Sequence, residues 1–249
     1  MSEVRRTIVW WSTGAASAVA ARLALQATPS AIVARCETGN EDDDNYRFEV
    51  DVQRWINRPI TILKSEKYLS VPDVWDDRKY MSGIKGAPCT VEMKVVPRLV
   101  FQLPTDIHVF GYTADSHDVE RFKTLRETYP ELIVRAPLID AGITKAGTLA
   151  IVEAAGIRLP RSYALGFPNA NCLKTGCVKA TSPDYWALYR FHFPDEFAVT
   201  AATARRLGVR LCRIKDERRF IDEIPMDWPM ANPVAPACDF LCHLAEVGL

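Results

Sequence analysis

The stretch Ile8-Val-Trp-Trp-Ser12-Thr-Gly-Ala-Ala-Ser17-Ala-Val-Ala-Ala-Arg-Leu-Ala-Leu25 decides the fold. Its first residues form a short apolar run, which reads as a buried strand. The run breaks at a turn of small residues, Ser12-Thr13-Gly14-Ala15-Ala16-Ser17, and resumes as an Ala/Leu-rich helix. Strand, small loop and helix start together make an anion site, because the first N–H groups of a helix have no partner within it and point at the loop. Small side chains let a phosphate approach the backbone, and the hydroxyls of Ser12 and Ser17 add donors. The turn matches neither G-x-x-x-x-G-K-[ST] nor G-x-G-x-x-G, the two common nucleotide loops.

Outward from this turn, β and α patterns alternate up to about residue 155. Apolar runs at 7–11, 31–35, 59–63, 107–111 and 132–138 predict strands. Helical patterns lie between several of them. In 44–56, Phe48, Val52, Trp55 and Ile56 share one face, and Asp42 to Asp44 supply N-caps. Further helices are expected over 117–129 and over 144–155, the latter opening at Thr144 and stopping at Gly156. Continuous apolar strands alternating with helices predict an α/β fold, with a five-stranded parallel sheet covered on both faces. From Leu159 prolines and cysteines appear, with helical runs near 183–192 and 195–207 and a short strand at 209–214. The expected division is an α/β domain over 1–158 and a cysteine-bearing helical extension over 159–249 packed on it.

The chain has 249 residues, 48% hydrophobic and 25% charged, with a formal net charge of zero. Such a balance gives no global field to recruit nucleic acid, so any such contact needs a local patch. No apolar run approaches membrane-spanning length and no signal peptide is visible, so no membrane partner is expected. The seven cysteines then point to a reducing, cytoplasmic setting in which thiols serve metals, clusters or catalysis.

Three further segments carry chemistry. After the second strand comes Cys36-Glu37-Thr38-Gly39-Asn40-Glu41. Ligands of open α/β sheets sit beyond the carboxyl ends of the strands, so this loop stands beside the first and offers Thr38 and Gly39. Next is Gly86-Ala-Pro-Cys89-Thr-Val-Glu-Met-Lys94-Val-Val-Pro-Arg98. A cysteine opening a helix, with Lys94 and Arg98 a few turns on, is expected to have a lowered pKa. Cys89 and Lys94 are therefore the catalytic candidates. The fourth strand ends in Gly111-Tyr112-Thr113-Ala114-Asp115, with Arg121 shortly after.

In this order the segments resemble the PP-loop nucleotide-binding proteins, the adenine nucleotide alpha hydrolases, and among them the PAPS (phosphoadenylyl-sulfate) reductase-like family. Ser12, Gly14 and Ser17 fall on that family's S-G-G-x-D-S loop; Thr13 stands for a glycine and Ala16 for the acidic residue. Glu37-Thr38-Gly39 corresponds to its D-T-G, and Cys89, Lys94 and Pro97-Arg98 to its C-x-x-x-x-K segment. Gly111, Asp115 and Arg121 match a pattern lining its nucleotide site. Pro137-Leu138 and Leu159-Pro-Arg-Ser-Tyr163-Ala-Leu-Gly-Phe167 correspond to the stretch that leads into its cysteine motif. The resemblance runs over roughly residues 5–180. It implies a Rossmann-like PP-loop fold that binds an adenine nucleotide through Ser12 to Ser17, Thr38, Gly39, Gly111, Tyr112, Asp115 and Arg121. ATP with Mg²⁺ is the implied cofactor.

The cysteine motif is Cys172-Leu-Lys-Thr-Gly-Cys177, and Cys238-Asp-Phe-Leu-Cys242 forms a second pair. On a helix, positions i and i+4 share a face, so the second pair's sulfurs can converge. Two metal arrangements are open. Cys172 and Cys177 with Cys89 give three thiolates, which in several PP-loop thiolases hold a [4Fe-4S] cluster with one open iron. Cys172, Cys177, Cys238 and Cys242 instead close a four-thiolate site for zinc or a cluster. Uncoordinated core cysteines are the third option.

The resemblance implies an enzyme that splits ATP at the α–β bond, adenylates a substrate and transfers sulfur to it, with a nucleic acid, nucleotide or small metabolite as acceptor. A PAPS or APS reductase is the first alternative, although its C-terminal E-C-G-L-H motif is missing. A non-catalytic nucleotide-binding module is the second, favoured by Ala15 and Ala16. A homodimer is left open. The aromatic stripe Tyr185, Trp186, Tyr189, Phe191 and Phe193 reads as core packing rather than a base-stacking surface, and the arginines between Arg205 and Arg219 as a solvated face.

Overall fold

The computed structural model describes residues 5–83, 86–170 and 172–230. Five strands make one parallel sheet: β1 (Thr7–Trp10), β2 (Ile32–Cys36), β3 (Ile60–Leu63), β4 (Ile107–Phe110) and β5 (Ile133–Arg135), in the order β3-β2-β1-β4-β5. The expected α/β fold is the observed one. β1 is central, with Val9 opposite Val33 on one side and Val109 on the other. The chain winds outward from β1 in one direction and returns to its other flank with β4. Ligand crevices of doubly wound sheets open at that reversal, beyond the strands' carboxyl ends.

Helix α1 (Ala15–Ala27) is alanine-rich because it packs closely on the sheet; Ala15, Ala18, Val19, Ala20 and Ala21 are all fully buried. It shares one core with Val9, Val33 and Val109, with Phe48 and Val52 of α2 (Asp43–Ile56), and with Leu149 and Val152 of α8 (Lys145–Ala154). Trp10 points to the opposite face, where its ring meets Phe101 edge-on. There the chain opens a helix at α4 (Pro88–Thr90), widens into a π-helical turn over Val91–Val95, and closes as α5 (Val96–Phe101). Helix α6 (Ser116–Thr128) follows β4. The run expected as a strand over 132–138 divides into β5 and a short helix, α7 (Pro137–Asp140), because Pro137 lacks the N–H a strand needs and suits a helix start.

A second core lies beside the first. It gathers Trp75 of α3 (Val71–Arg78), Met93, Phe167 beyond α9 (Arg161–Ala164), Leu173, Trp186 and Tyr189 of α10 (Pro183–His192), and Phe197 of α11 (Pro194–Arg206). Residues from before 159 thus pack with residues after it. The hairpin β6 (Cys212–Ile214) and β7 (Glu217–Arg219) completes this region. Trp186 and Tyr189 are fully buried and Tyr185 and Phe193 pack against them, so most of the aromatic stripe is core, while Phe191 is exposed. The arginines beyond it pair outward, Arg205 with Asp222 and Glu223, and Arg206 with Asp76. Among the described residues, no helix is long and apolar enough to cross a membrane.

Candidate functional site

A pocket of about 540 Å³ opens at the reversal between β1 and β4. Ser12, Thr13, Gly14, Ala16 and Ser17 line it, with Thr38, Cys89, Lys94, Gly111, Tyr112, Arg121, Cys172 and Cys177. Residues scattered over more than 160 positions of sequence therefore meet in one cavity. Ala15, Gly39 and Asp115 do not line it. Cys238 and Cys242 lie outside the described residues.

The first loop forms one wall. The Ser17 hydroxyl accepts the Ser12 N–H at 3.0 Å and so closes the turn. The first amide to bond within the helix is that of Ala18, to the Gly14 carbonyl at 3.1 Å. Ala15 donates its N–H to the Tyr163 hydroxyl at 3.3 Å. Among the described residues, the N–H groups of Thr13, Gly14, Ala16 and Ser17 find no acceptor. Thr13 has φ of 60°, the left-handed conformation that favours glycine, at the position where the resembled family carries one. Gly111 explains how β4 reaches this loop: a Cβ there would stand 2.7 Å from the Ser17 Cα, so only glycine lets the strand end pass the helix start.

The second loop turns inward instead. The Glu37 carboxylate accepts the N–H groups of Thr38 at 3.0 Å and Gly39 at 2.9 Å, and pairs with Arg35 at 2.9 Å. Burial pushes the Glu37 carboxyl up, but the Gly39 amide and the Arg35 guanidinium more than reverse this and hold it below its ordinary value. The Thr38 hydroxyl donates to Glu41 at 3.2 Å. Glu41, 3% exposed, also accepts from Asn45 at 3.0 Å and lies 3.1 Å from the Thr13 hydroxyl. It lines the pocket and joins the two loops.

The cations of the pocket outnumber its carboxylates. Arg35 is consumed by Glu37 and Glu49, and Arg121 pairs with Asp118 at 2.8 Å while lying over the Tyr112 ring. Lys94, Arg98, Lys145 and Lys179 line the pocket and form no ion pair among the described residues. Lys145 reaches the Tyr163 hydroxyl at 3.4 Å. Asp115 works from behind, accepting the Lys145 N–H at 2.7 Å and so anchoring the helix that carries that side chain.

The far wall carries thiols. Cys36, Cys89, Cys172 and Cys177 all line the pocket, and the Cys36 thiol donates to the Lys94 carbonyl of the π-turn at 3.4 Å. The expectation of a lowered pKa at Cys89 is corrected. Its thiol packs against the second core, and burial together with Cys177 raises it above its ordinary value, against the pull of Lys94, the Trp75 indole N–H and the Thr90 amide. The helix it opens runs on without a break through the π-turn into α5, so it is burial, not the lack of a helix start, that overturns the expectation. Burial pushes the Cys172 thiol up to about 12. Burial alone would lower Lys94, but Cys172, Glu41, Cys177 and Cys36 outweigh it and keep the ammonium above its ordinary value.

The Cys172–Cys177 loop is held by the second core. Tyr185 accepts the Cys177 N–H at 2.8 Å, and Tyr189 donates to the Leu173 carbonyl at 2.8 Å. Gly176, at φ of 67°, sits where a Cβ would press to 2.7 Å on the Trp186 ring. Among the described residues, no group of three or more His, Cys, Asp or Glu side chains is placed to hold a metal ion. The three-thiolate arrangement of Cys89, Cys172 and Cys177 is therefore not formed in this conformation, and the four-thiolate one falls partly outside the described residues.

Neither a protein-family model nor a curated protein matches the chain. Among solved structures it is similar to phosphoadenylyl-sulfate (PAPS) reductase from Candida auris in a phosphate complex. That match has 14% identity and a TM-score of 0.45 and covers 64% of this chain and 77% of that one. It is also similar to the U34-tRNA thiolase NcsA from Methanococcus maripaludis with its [4Fe-4S] cluster. Here identity is 10% and the TM-score 0.40, with 99% of this chain and 82% of that one covered.

Lys145, Tyr163, Glu41 and Trp75 line the site but were not singled out from sequence as its residues. A signal for Lys145 is present: Thr144 caps α8, and a lysine directly after the cap stands against the helix's positive end, an unfavourable place that an anionic ligand would justify.

Proposed function

We propose that the chain is an adenine-nucleotide-binding enzyme that activates an acceptor with ATP and then replaces the activated group with sulfur. One observation carries this reading. A single pocket has an amide cradle on one wall, at the start of α1, and cysteine thiols with an unpaired lysine on another. The cradle suits a phosphate chain and the thiols suit a sulfur nucleophile, so the pocket can bring both substrates to one acceptor.

In this proposal the amides of Thr13, Gly14, Ala16 and Ser17 hold the β- and γ-phosphates, and Lys145 adds charge from α8. An acceptor oxygen attacks the α-phosphorus, the bond to the β-phosphate breaks, and pyrophosphate leaves with its charge received by the same amides. Cys89, loaded as a persulfide by an external sulfur donor, then attacks the adenylated acceptor through its outer sulfur. The new C–S bond forms as the C–O bond to AMP breaks and AMP leaves. Two equivalents of an external thiol reduce the remaining disulfide, releasing the thiolated product and the Cys89 thiol. Mg²⁺ is usually held by phosphates and one or two carboxylates, which Glu41 and Asp118 offer here in place of the acid missing at Ala16. The thiol positions do not fit a metal cluster as they stand, and no step is drawn through one.

Calorimetry with ATP, AMP and PAPS, followed by assays for pyrophosphate and sulfite, tests the reading. Saturable binding of ATP with slow pyrophosphate release is expected. Sulfite from PAPS would make the chain a reductase, binding without turnover a nucleotide-binding module, and absence of heat from all three would end the assignment.

A further inference from the structure

Tyr163 lies on α9, outside the sheet, yet its side chain ends at the start of α1 and lines the pocket. Its segment is tied to α2. Arg161 reaches both carboxylate oxygens of Asp42, at 2.9 and 2.7 Å, and Asp44 accepts the Arg161 N–H at 2.8 Å. Tyr163 itself is 6% exposed and belongs to the first core.

The phenol oxygen accepts twice, from the Ala15 N–H at 3.3 Å and from the Lys145 ammonium at 3.4 Å. Its own hydrogen has no acceptor among the described residues. A hydroxyl in this state has one bonding capacity left, which an acceptor atom alone can fill, and leaving it unmet in a buried place is costly. The loop explains why a tyrosine stands here. The N-cap of α1 is Gly14, which has no side chain to take the Ala15 amide, and a Cβ there would lie 3.2 Å from the Tyr163 hydroxyl. A residue 148 positions away takes that amide instead. The N–H groups of Gly14 and Ala16, on either side, find no acceptor among the described residues. Trp11, just before the loop and 3% exposed, lines the same pocket with an indole N–H that also has none among them.

We propose that Tyr163 is a ligand of the bound phosphate: its oxygen occupies the Ala15 amide, and its hydroxyl donates to a phosphate oxygen held by the Gly14 and Ala16 amides. The inference rests on reading the pocket as a nucleotide phosphate site, and not on the sulfur transfer. Where Ala15 and Ala16 offer no polar side chain, a tyrosine and a lysine from later elements supply the contacts.

Calorimetry on the full chain with ATP and with inorganic pyrophosphate, each with Mg²⁺, tests this. Tyr163→Phe keeps the ring in the core and under the Lys145 ammonium, and removes the oxygen alone. Both ligands should bind about tenfold more weakly and by the same factor, because the lost bond is to phosphate. A melt of the ligand-free variant reads the loss of the Ala15 contact separately. Unchanged affinities beside a lowered melting temperature make Tyr163 a helix cap alone and overturn the proposal, as does a loss confined to ATP. If the wild-type chain binds neither ligand, the nucleotide reading and the inference fail together; if it binds and the variant binds equally, the inference alone fails. Should Tyr163→Phe not fold, wild-type crystals soaked in pyrophosphate decide. The hydroxyl oxygen should stand within about 3 Å of a phosphate oxygen. An anion seated on the amides with Tyr163 bonded elsewhere refutes the proposal.

Discussion

The loops after β1 and after β2 stand side by side at the same edge of the sheet, yet they dispose of their amides in opposite ways. Among the described residues, the first leaves the N–H groups of Thr13, Gly14, Ala16 and Ser17 without acceptors, and these four residues line the pocket. The second spends its amides on its own carboxylate, Glu37, which takes those of Thr38 and Gly39. Both are short, polar and glycine-containing, and both resemble a family motif with substitutions. Only the first is open to a ligand anion; the second is a scaffold that places Glu41 and Arg35. A motif match locates a loop, and the hydrogen bonds decide what the loop is for.

Breaking the open loop should produce the largest effect. Gly111→Ala drives a Cβ to 2.7 Å from the Ser17 Cα and 2.8 Å from its nitrogen, both backbone atoms that cannot swing aside. Displacing the start of α1 should cost about 2–3 kcal/mol of stability in denaturant melts. ATP affinity should fall by at least about tenfold, because the amides no longer converge. Retained affinity would mean the nucleotide does not use this helix start.

Lys145→Ala separates binding from stability. The ammonium makes no ion pair among the described residues and stands at the unfavourable end of α8, so its loss should raise stability by about 0.3–1 kcal/mol. If it holds phosphate, ATP affinity should drop about 10- to 100-fold. A variant that is more stable and binds ATP as before would exclude Lys145 from the site.

The architecture is legible in sequence because buried parallel strands are continuous apolar runs, and β1 to β4 appear as such within a residue or so of their ends. Helix α3 is not among the expected elements, although Ser70-Val-Pro-Asp73 is a capping box with proline in the first turn. Its apolar residues are too few for periodicity to show. The pocket residues nearest the strand ends were legible for the same topological reason. Trp75, Lys145 and Tyr163 come from elements beyond β3 and β5 whose approach to the pocket is set by the second core and by α8, and no spacing rule connects them. The Cys89 thiol shows the opposite failure: its neighbours were read correctly, but burial, which sequence spacing does not report, outweighs them.

In the closed loop, Glu37→Gln should act on stability more than on binding. The loss is expected at about 1–2 kcal/mol, since Arg35 keeps Glu49 at 2.6 Å. The folded pKa of Glu37 lies below its ordinary value, so its contribution is complete above about pH 4.3 and drains as pH falls through the folded value. Melts from pH 7 down to about 3 should show the wild-type advantage over Glu37→Gln shrinking toward zero on the acid side. An advantage that persists at the acid end would mean that packing, not charge, is what Glu37 contributes.

The smallest effect sharpens the comparison at its centre. Thr13 is a β-branched residue at φ of 60°, a conformation costing about 1–3 kcal/mol, where glycine would sit without strain. Against that, its hydroxyl donates to the Ser12 carbonyl at 2.6 Å and lies 3.1 Å from Glu41, a side-chain contact between the open loop and the closed one. Thr13→Gly removes strain and link together, and adds about 0.5–1 kcal/mol of backbone entropy to be lost on folding. These terms nearly cancel, so the melt should move by less than about 1 kcal/mol. Thr13→Ala keeps the strain and loses both hydroxyl contacts, to the Ser12 carbonyl and to Glu41, and it should be the less stable of the two variants. Should Thr13→Ala match the wild type instead, the hydroxyl contributes nothing to stability, and its contact with Glu41 does not hold the two loops together.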